Sequence, residues 1–329
     1  MTKVSWGVIS TAKIGTEKVI PAMQKGEYSQ INAIASSNIE RAKSTAKKLR
    51  IPKSYGSYDE LLNDNDIDAI YIPLPNHLHV KWAIKSLEAG KHVLCEKPIG
   101  LDFTDAENLY NASKKFPKLK VMEAFMYRHH PQIKKAKELI EVEAVGEMRH
   151  INTLFNYYNV DPKNIRNKVG IGGGGLLDIG CYCISISRFL FGSEPKFVCS
   201  SIDYDPEMKI DRLVTGILQF YNGTSSISCS TQIAFTQGAE IFGTKGKITI
   251  EMPFTPSPDT SAKIILQQGE NIKKITFEPC NSYTLQGDAF SKSILDDSPV
   301  QISLSDTLAN MKVIDKIKES AANNNWVNV

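Results

Sequence analysis

Residues 4–15 read VSWGVISTAKIG, an apolar strand-like run, Val4–Ile9, that passes at once into small residues and Gly15. A dinucleotide fingerprint reads G-x-G-x-x-G at such a junction; here it is S-x-A-x-x-G, on Ser10, Ala12 and Gly15. Small residues at the first two positions permit a tight turn and let backbone approach a pyrophosphate. The third lets the helix pack on the sheet, and the helix N-terminus supplies N–H donors and positive potential. Ser and Ala are the smallest substitutes for glycine, so the geometry survives if neither position requires a positive φ. Ser10, Thr11, Ala12, Lys13 and Ile14 are therefore cofactor-binding candidates. An ordinary structural turn has the same composition, and the place at the first strand–helix junction favours the dinucleotide.

Outward from this junction, strand-like runs alternate with amphipathic stretches. The runs are Ile31–Ala35, Ala69–Ile72, residues 93–95 and Lys120–Met122; the helical stretches are Ile14–Met23, Glu40–Leu49, Val80–Ala89 and one after Asp102. Short connections between them predict a parallel sheet with helices on both faces. After Glu123 the rhythm changes. One helix, Gln132–Ile140, precedes β-type segments at Arg149–Tyr157, Lys196–Tyr204, Leu213–Phe220, Ser225–Thr231, Glu240–Phe242, Lys247–Glu251 and Ala262–Gln267. Turn signals at Asn222-Gly223 and Lys245-Gly246 predict a mainly antiparallel sheet. A Gly-rich helical stretch at residues 172–191 interrupts it, and a final helix covers Ser305–Lys318. The expected fold class is α/β: a doubly wound parallel-sheet domain over residues 1–122 and an α+β domain with a large open sheet over residues 123–329.

Other strand ends on the first sheet carry further candidates. At the end of the second strand an NAD site would place Asp or Glu on the ribose hydroxyls. The chain has Ser36-Ser37-Asn38 instead, with Arg41 one turn on. No acid repels a 2′-phosphate there, so NADP is favoured, with NAD as the alternative; Arg41 also reads as a solvated helix residue. Pro73, Leu74, Pro75, Asn76 and His79 follow the fourth strand at an edge where such sheets bind ligands. Asn76 is also a reasonable cap for the next helix. Glu96-Lys97-Pro98 ends the strand 93–95, where a lysine with a tunable pKa can orient a hydroxyl and a proline can be cis. In the stretch 172–182, GGGGLLDIGCY, Asp178 and Tyr182 are i,i+4 and share a face if helical. A tyrosine near a cation is a workable proton donor and acceptor. Taken singly, each motif also has an ordinary structural account.

Composition narrows the classes. Of 329 residues, 42% are apolar and 23% charged, the balance of a globular protein, and the net charge of +3 gives no case for nucleic acid or an anionic membrane. No apolar run is read as approaching the roughly 18–20 residues of a membrane span. The start MTKVSWGVIS lacks the regions of a signal peptide. Cysteines 95, 181, 183, 199, 229 and 280 form no C-x-x-C pair and no zinc spacing, so free thiols, no metal and a cytoplasmic setting are expected.

In order, WGVISTAKIG, PLPNHLH, CEKPIG, EAFMYRHHPQ, GGGGLLDIGCY with Arg188 after it, and AEIFGTKGKI resemble the Gfo/Idh/MocA oxidoreductase family over nearly the whole chain. Tyr182 and the EAFMYR segment are most similar to its dihydrodiol dehydrogenase, xylose dehydrogenase and anhydrofructose reductase branch. The resemblance implies a nicotinamide-dependent oxidoreductase of a sugar, polyol or diol. It also implies a Rossmann domain and an open sheet that joins two chains as a homodimer or dimer of dimers. By the same resemblance Lys97 contacts the substrate hydroxyl and nicotinamide ribose, and its bond to Pro98 is cis. Tyr182 is the acid/base and Asp178 orients substrate. Glu96, Asn76 and His79 lie on the cofactor side, Arg128 and Arg166 on the substrate side. Two departures stand out: Ser10 and Ala12 replace fingerprint glycines, and Ser37 stands where many NADP-using members carry arginine. The rival readings are a dinucleotide- or sugar-sensing regulator without turnover, and a reductase of a non-sugar substrate.

Overall fold

The N-terminal apolar run forms β1 (Val4–Ile9) and is followed by α1 (Ile20–Met23), β2 (Ser29–Ala35), α2 (Ile39–Leu49), β3 (Lys53–Tyr55), α3 (Tyr58–Leu62) and β4 (Ala69–Ile72). Then come α4 (His79–Glu88), β5 (His92–Cys95), α5 (Phe103–Ser113) and β6 (Val121–Glu123). All six strands pair in parallel, in the order β3-β2-β1-β4-β5-β6. The order reverses between β1 and β4, the switch point beside which doubly wound sheets bind ligands. Every residue of β4 is buried, as a strand covered on both faces requires. Asp102 caps α5 by accepting from Asp105 N at 2.9 Å, and Gly90, at φ +75°, follows α4.

The computed structural model describes residues 2–329 and resolves the chain into two units, Met1–Met126 with Asn281–Leu308 and Tyr127–Cys280 with Ala309–Val329. The second begins with α6 (Pro131–Glu141) and β7 (Met148–Tyr158), then α7 (Cys181–Phe191) and β8 (Phe197–Tyr204). After them run β9 (Asp211–Gln219), β10 (Thr224–Ser230), β11 (Gln232–Gly243), β12 (Gly246–Ile250), β13 (Ala262–Gln268) and β14 (Asn271–Phe277). The chain ends with α8 (Ser282–Leu295), α9 (Leu304–Asn323) and β15 (Val327–Asn328). Among the described residues, nine strands form one sheet, β14-β13-β12-β11-β7-β10-β9-β8-β15, in which only β7 and β10 run parallel. Along β10 the buried Ser225, Ile227 and Cys229 alternate with half-buried Thr224, Ser226 and Ser228, so one face is the core face. One edge strand, β14, exposes Lys273 and Lys274; at the other edge, β15 has only two residues.

α8, β3, α3, β14 and β15 are additions to the elements expected from sequence. α8 packs in the first unit. Trp6 Nε1 donates to Ser291 Oγ at 3.0 Å, the Trp6 and Phe290 rings lie 5.6 Å apart, and Asp288 accepts from the N–H groups of Glu27 and Tyr28. Trp6 and Phe290 are fully buried; such a side chain stabilises by roughly 1.5–3 kcal/mol.

The segment Val169–Phe191 corrects one expectation: an 18-residue window within it has a mean hydropathy of 1.5, and the segment is long and apolar enough by length and composition to cross a membrane. Most of that window, 72%, is buried, and α7 lies against β7 and β10, so its apolar character serves a core helix.

Candidate active site

In the first unit the loops after β1, β2, β4 and β5 are laced along the carboxyl edge of the sheet. Ser10 N donates to Ala35 O at 3.0 Å, Ser10 Oγ to Pro73 O at 3.3 Å, and Glu96 N to Ile72 O at 3.1 Å. Ser10 departs from the sequence condition, since it sits at φ +84°. This region costs a non-glycine residue roughly 1–2 kcal/mol. The Ser10 hydroxyl offsets part of that by also accepting from Ala12 N at 3.2 Å.

The first helical bond beyond the loop runs from Thr16 N to Ala12 O at 3.0 Å, so Lys13, Ile14 and Gly15 have no intrahelical acceptor for their N–H groups. Thr11, Ala12 and Ile14 are half-buried and Lys13 is exposed. A Cβ on Gly15 would lie 3.3 Å from Pro73 Cγ, the close helix–strand approach of the third fingerprint position. A π-helical turn, Gly15–Val19, follows. The loop thus fits a dinucleotide: orphan N–H donors at a helix start and backbone without bulky side chains.

At the end of β2, Ser36 is buried, its Oγ accepting from Asn38 N, and Asn38 caps α2 by accepting from Arg41 N at 3.0 Å. Ser37 and Arg41 are exposed and supply the hydroxyl and guanidinium that a 2′-phosphate would need.

After β4, Asn76 is not the cap expected for the next helix: it lies in the turn Asn76–Leu78, whose N-cap position is Pro75, and Leu78 holds the N-cap position of α4. His79 is wholly buried. Its Nδ1 lies 2.8 Å from Pro98 O and its Nε2 2.7 Å from Leu74 O. Burial pushes its pKa down to about 4, against the two carbonyls, which favour the charged ring. His79 therefore ties the loop after β4 to the loop after β5. The Lys97–Pro98 peptide is cis. Beside it, Tyr71 donates its hydroxyl to Glu96 Oε1 at 2.7 Å, and Ile99 N donates to Glu123 Oε1 at 2.9 Å. Tyr283, at the start of α8, adds to the burial and the Glu96 charge that raise the Tyr71 pKa.

In the second unit, Asp178 lies in a π-helical turn, Leu176–Gly180, that runs into α7. Such turns recur at functional sites. Asp178 Oδ2 accepts from Tyr157 Oη at 2.7 Å and from Arg166 Nε at 2.9 Å. Burial and then the Asp178 charge hold the Tyr157 phenol far above its ordinary pKa. Tyr182 is buried among Tyr127, Phe155 and Phe254, with ring centroids 5.6, 5.7 and 5.5 Å away. Arg128 lies in the short helical turn Met126–His129, and its guanidinium stacks 4.0 Å over Phe189 of α7, seven positions beyond Tyr182. Arg188 pairs with Glu194 and Asn310.

Tyr157, Tyr71 and Asp211 are absent from the sequence-derived candidates. Tyr157 closes a strand and gives no local signal of its partner. Among the described residues no three His, Cys, Asp or Glu side chains gather as metal ligands. The thiols of Cys95, Cys183 and Cys229 are buried, which raises their pKa.

A parallel sheet in Rossmann order, an anion-ready first loop and a lysine at a strand end define a dinucleotide-binding oxidoreductase class. The family model for the Gfo/Idh/MocA oxidoreductase family, NAD-binding Rossmann fold, matches residues 4–125, and that for the Gfo/Idh/MocA C-terminal domain matches residues 133–249. The chain is 42% identical to the uncharacterized oxidoreductase ORF334 of Rhizobium meliloti, over 100% of both chains. It is 32% identical to D-xylose 1-dehydrogenase (NADP(+)) 2 of Haloferax volcanii, over 96% of this chain and 97% of that one. Among solved structures, KijD10, a 3-ketoreductase from Actinomadura kijaniata in complex with NADP and TDP-benzene, superposes with a TM-score of 0.91 at 26% identity, covering 97% and 98% of the two chains. The aldose-aldose oxidoreductase of Caulobacter crescentus gives a TM-score of 0.92 at 25% identity, covering 99% and 100%. The chain belongs to the Gfo/Idh/MocA oxidoreductase family, NAD(P)-dependent dehydrogenases and reductases acting on CH–OH groups.

Proposed function

We propose that the protein transfers a hydride between an NADP nicotinamide and a C–OH carbon of a sugar, polyol or diol, with NAD as the second cofactor. The observation that carries this reading is Asp178, held on one oxygen by Tyr157 and Arg166, four residues before Tyr182. When bound, the nicotinamide supplies or accepts the hydride. Tyr182 takes the hydroxyl proton during oxidation and returns it during reduction. The Lys97 ammonium stabilises negative charge developing on the substrate oxygen. Asp178 orients the substrate by accepting from a neighbouring hydroxyl, with Arg166 paired to its Oδ2. Ser10 to Ile14, Ser36, Ser37, Arg41, Pro73, Leu74, Asn76 and Glu96 line the cofactor side, where His79 acts through the backbone it holds.

The relatives support a sugar-like substrate: they include D-xylose and trans-1,2-dihydrobenzene-1,2-diol dehydrogenases and a levoglucosan dehydrogenase solved with NADH and levoglucosan. KijD10 has also been solved with one lysine replaced by alanine or glutamate and with one tyrosine replaced by phenylalanine. The exposed Ser37 and Arg41 favour NADP. The free cysteines suit a reducing cytoplasm, and the half-covered nine-stranded sheet suits a homodimer. Turnover of NADP(H) with Lys97→Met and Tyr182→Phe across a panel of aldoses and diols tests the reading. Each variant is expected to lose roughly 10²–10⁴-fold in kcat; wild-type rates for both on a good substrate overturn it. Size-exclusion chromatography checks the dimer.

A further inference from the structure

Gly174 links the parts of the second-unit site through its backbone. Its N–H donates to Arg166 O at 2.8 Å, and its carbonyl accepts from Asp178 N at 3.2 Å. The same two residues meet again through their side chains, Arg166 Nε on Asp178 Oδ2. Gly174 stands at φ +115°, and a Cβ there would fall 1.8 Å from Asp211 Oδ1. The carboxylate of Asp211 thus occupies the space that a side chain at 174 would take. Its other oxygen, Oδ2, accepts from Leu176 N at 2.5 Å, and Gly175 N–H also turns toward it. Asp211 is the first residue of β9, so the strand edge grips the glycine segment where the helical turn bearing Asp178 begins.

We propose that Asp211 is a positioning residue for Asp178 and Arg166: by filling the gap at Gly174 and accepting from Leu176 N, it sets where Asp178 meets the substrate. This rests on the reading of Asp178 and Tyr182 as substrate-side groups.

The electrostatics fix how the anchor responds to pH. Burial pushes the Asp211 carboxyl up to about 6, opposed by the N–H donors and by Lys318 on α9. Around it stand Tyr157 on β7, Tyr204 on β8 and Cys229 on β10, with the Arg212–Asp203 pair one position along. A carboxyl whose pKa is higher in the anchored than in the released state favours the anchored state when protonated. The glycine segment therefore tightens as pH falls through about 6, and an amide at 211 imitates the protonated form.

Hydrogen exchange of the peptide 172–180 decides this without substrate, after correction for intrinsic rates, in the wild type, Asp211→Ala and Asp211→Asn. Asp211→Ala is expected to exchange roughly tenfold faster and to raise the sugar KM about tenfold at unchanged NADPH affinity. Asp211→Asn is expected to restore both, with protection independent of pH between 5 and 8, while wild-type protection rises on acidification. Wild-type protection in Asp211→Ala, an unchanged sugar KM, or the same pH response in Asp211→Asn overturns the proposal. Tyr182→Phe with full turnover would instead sink the site reading, and the exchange data would still judge the anchor.

Discussion

Around Lys97, a strand tyrosine, Tyr71, donates its hydroxyl to Glu96 at 2.7 Å; around Asp178, another, Tyr157, donates to Asp178 itself at 2.7 Å. One carboxylate follows a strand end and the other lies in a π-helical turn, and each accepts from a phenol. The surroundings differ in kind. The loops beside Lys97 are held by backbone carbonyls and a neutral imidazole, His79, buried away from water. Those beside Asp178 are held by ions, Arg166 and Asp211, and by the missing side chain of Gly174. The first region is thus expected to keep its geometry across neutral pH, and the second to respond to it.

Glycine substitutions probe this contrast with the largest expected effect. Gly174→Ala adds an overlap with Asp211 to a left-handed backbone and is expected to cost about 3 kcal/mol or more. Gly90→Ala, at φ +75° with nothing within 4 Å of its Cβ, is expected to cost only about 1 kcal/mol. Denaturant midpoints compare them, and equal losses would break the steric account of Gly174.

Acidification comes next. The His79 pKa is depressed on folding, so its contribution is present above about pH 6.5 and falls away toward pH 4, a loss of about 2 kcal/mol between pH 7 and 5. His129 and His130, pushed down to about 3 and about 4 by burial, act in the same sense. Asp211 has the opposite sign: its pKa is raised on folding, so acidification returns about 1 kcal/mol over the same interval. Urea titrations at pH 7 and 5 should show Asp211→Asn losing more stability than the wild type on acidification. Parallel losses would remove the distinction between the two regions.

The paired tyrosines give a smaller effect. Removing a hydrogen bond to a carboxylate costs roughly 1.5–3 kcal/mol. In Tyr71→Phe this is expected as a lower melting temperature; in Tyr157→Phe it is expected as a roughly tenfold lower kcat/KM for the sugar, with NADPH binding unchanged. Steady-state kinetics of both separate the two outcomes. Smallest of all is Ser10→Gly, which relieves φ +84° but loses the hydroxyl bonds to Pro73 O and Ala12 N. Thermal melts should place it within about 1 kcal/mol of the wild type.

The alternation of buried strands and amphipathic helices made the first sheet legible, because β1, β4 and β5 carry their burial in local sequence. The second sheet was legible as strands and short turns, though β11 runs over 12 residues where only its apolar end stood out. α8 gave no sign that Trp6 and Phe290 would meet, since that contact spans nearly the whole chain. Asp211 in KIDR looks like a solvated turn acid, and only the strand pairing that brings it to Gly174 shows otherwise. A structural role for His79 was open from its place in a helix's first turn, but sequence cannot say that two carbonyls surround its ring.

The edges of the nine-stranded sheet bear on aggregation. An open row of strand N–H and C=O groups invites a foreign strand to add on. Here β14 presents Lys273 and Lys274 at one margin, whose charges would be crowded by an incoming chain, and β15 covers β8 for two residues at the other. Runaway edge-to-edge polymerisation is thereby disfavoured, so the sheet's growth is stopped at both margins by charge and by brevity rather than by closure into a barrel.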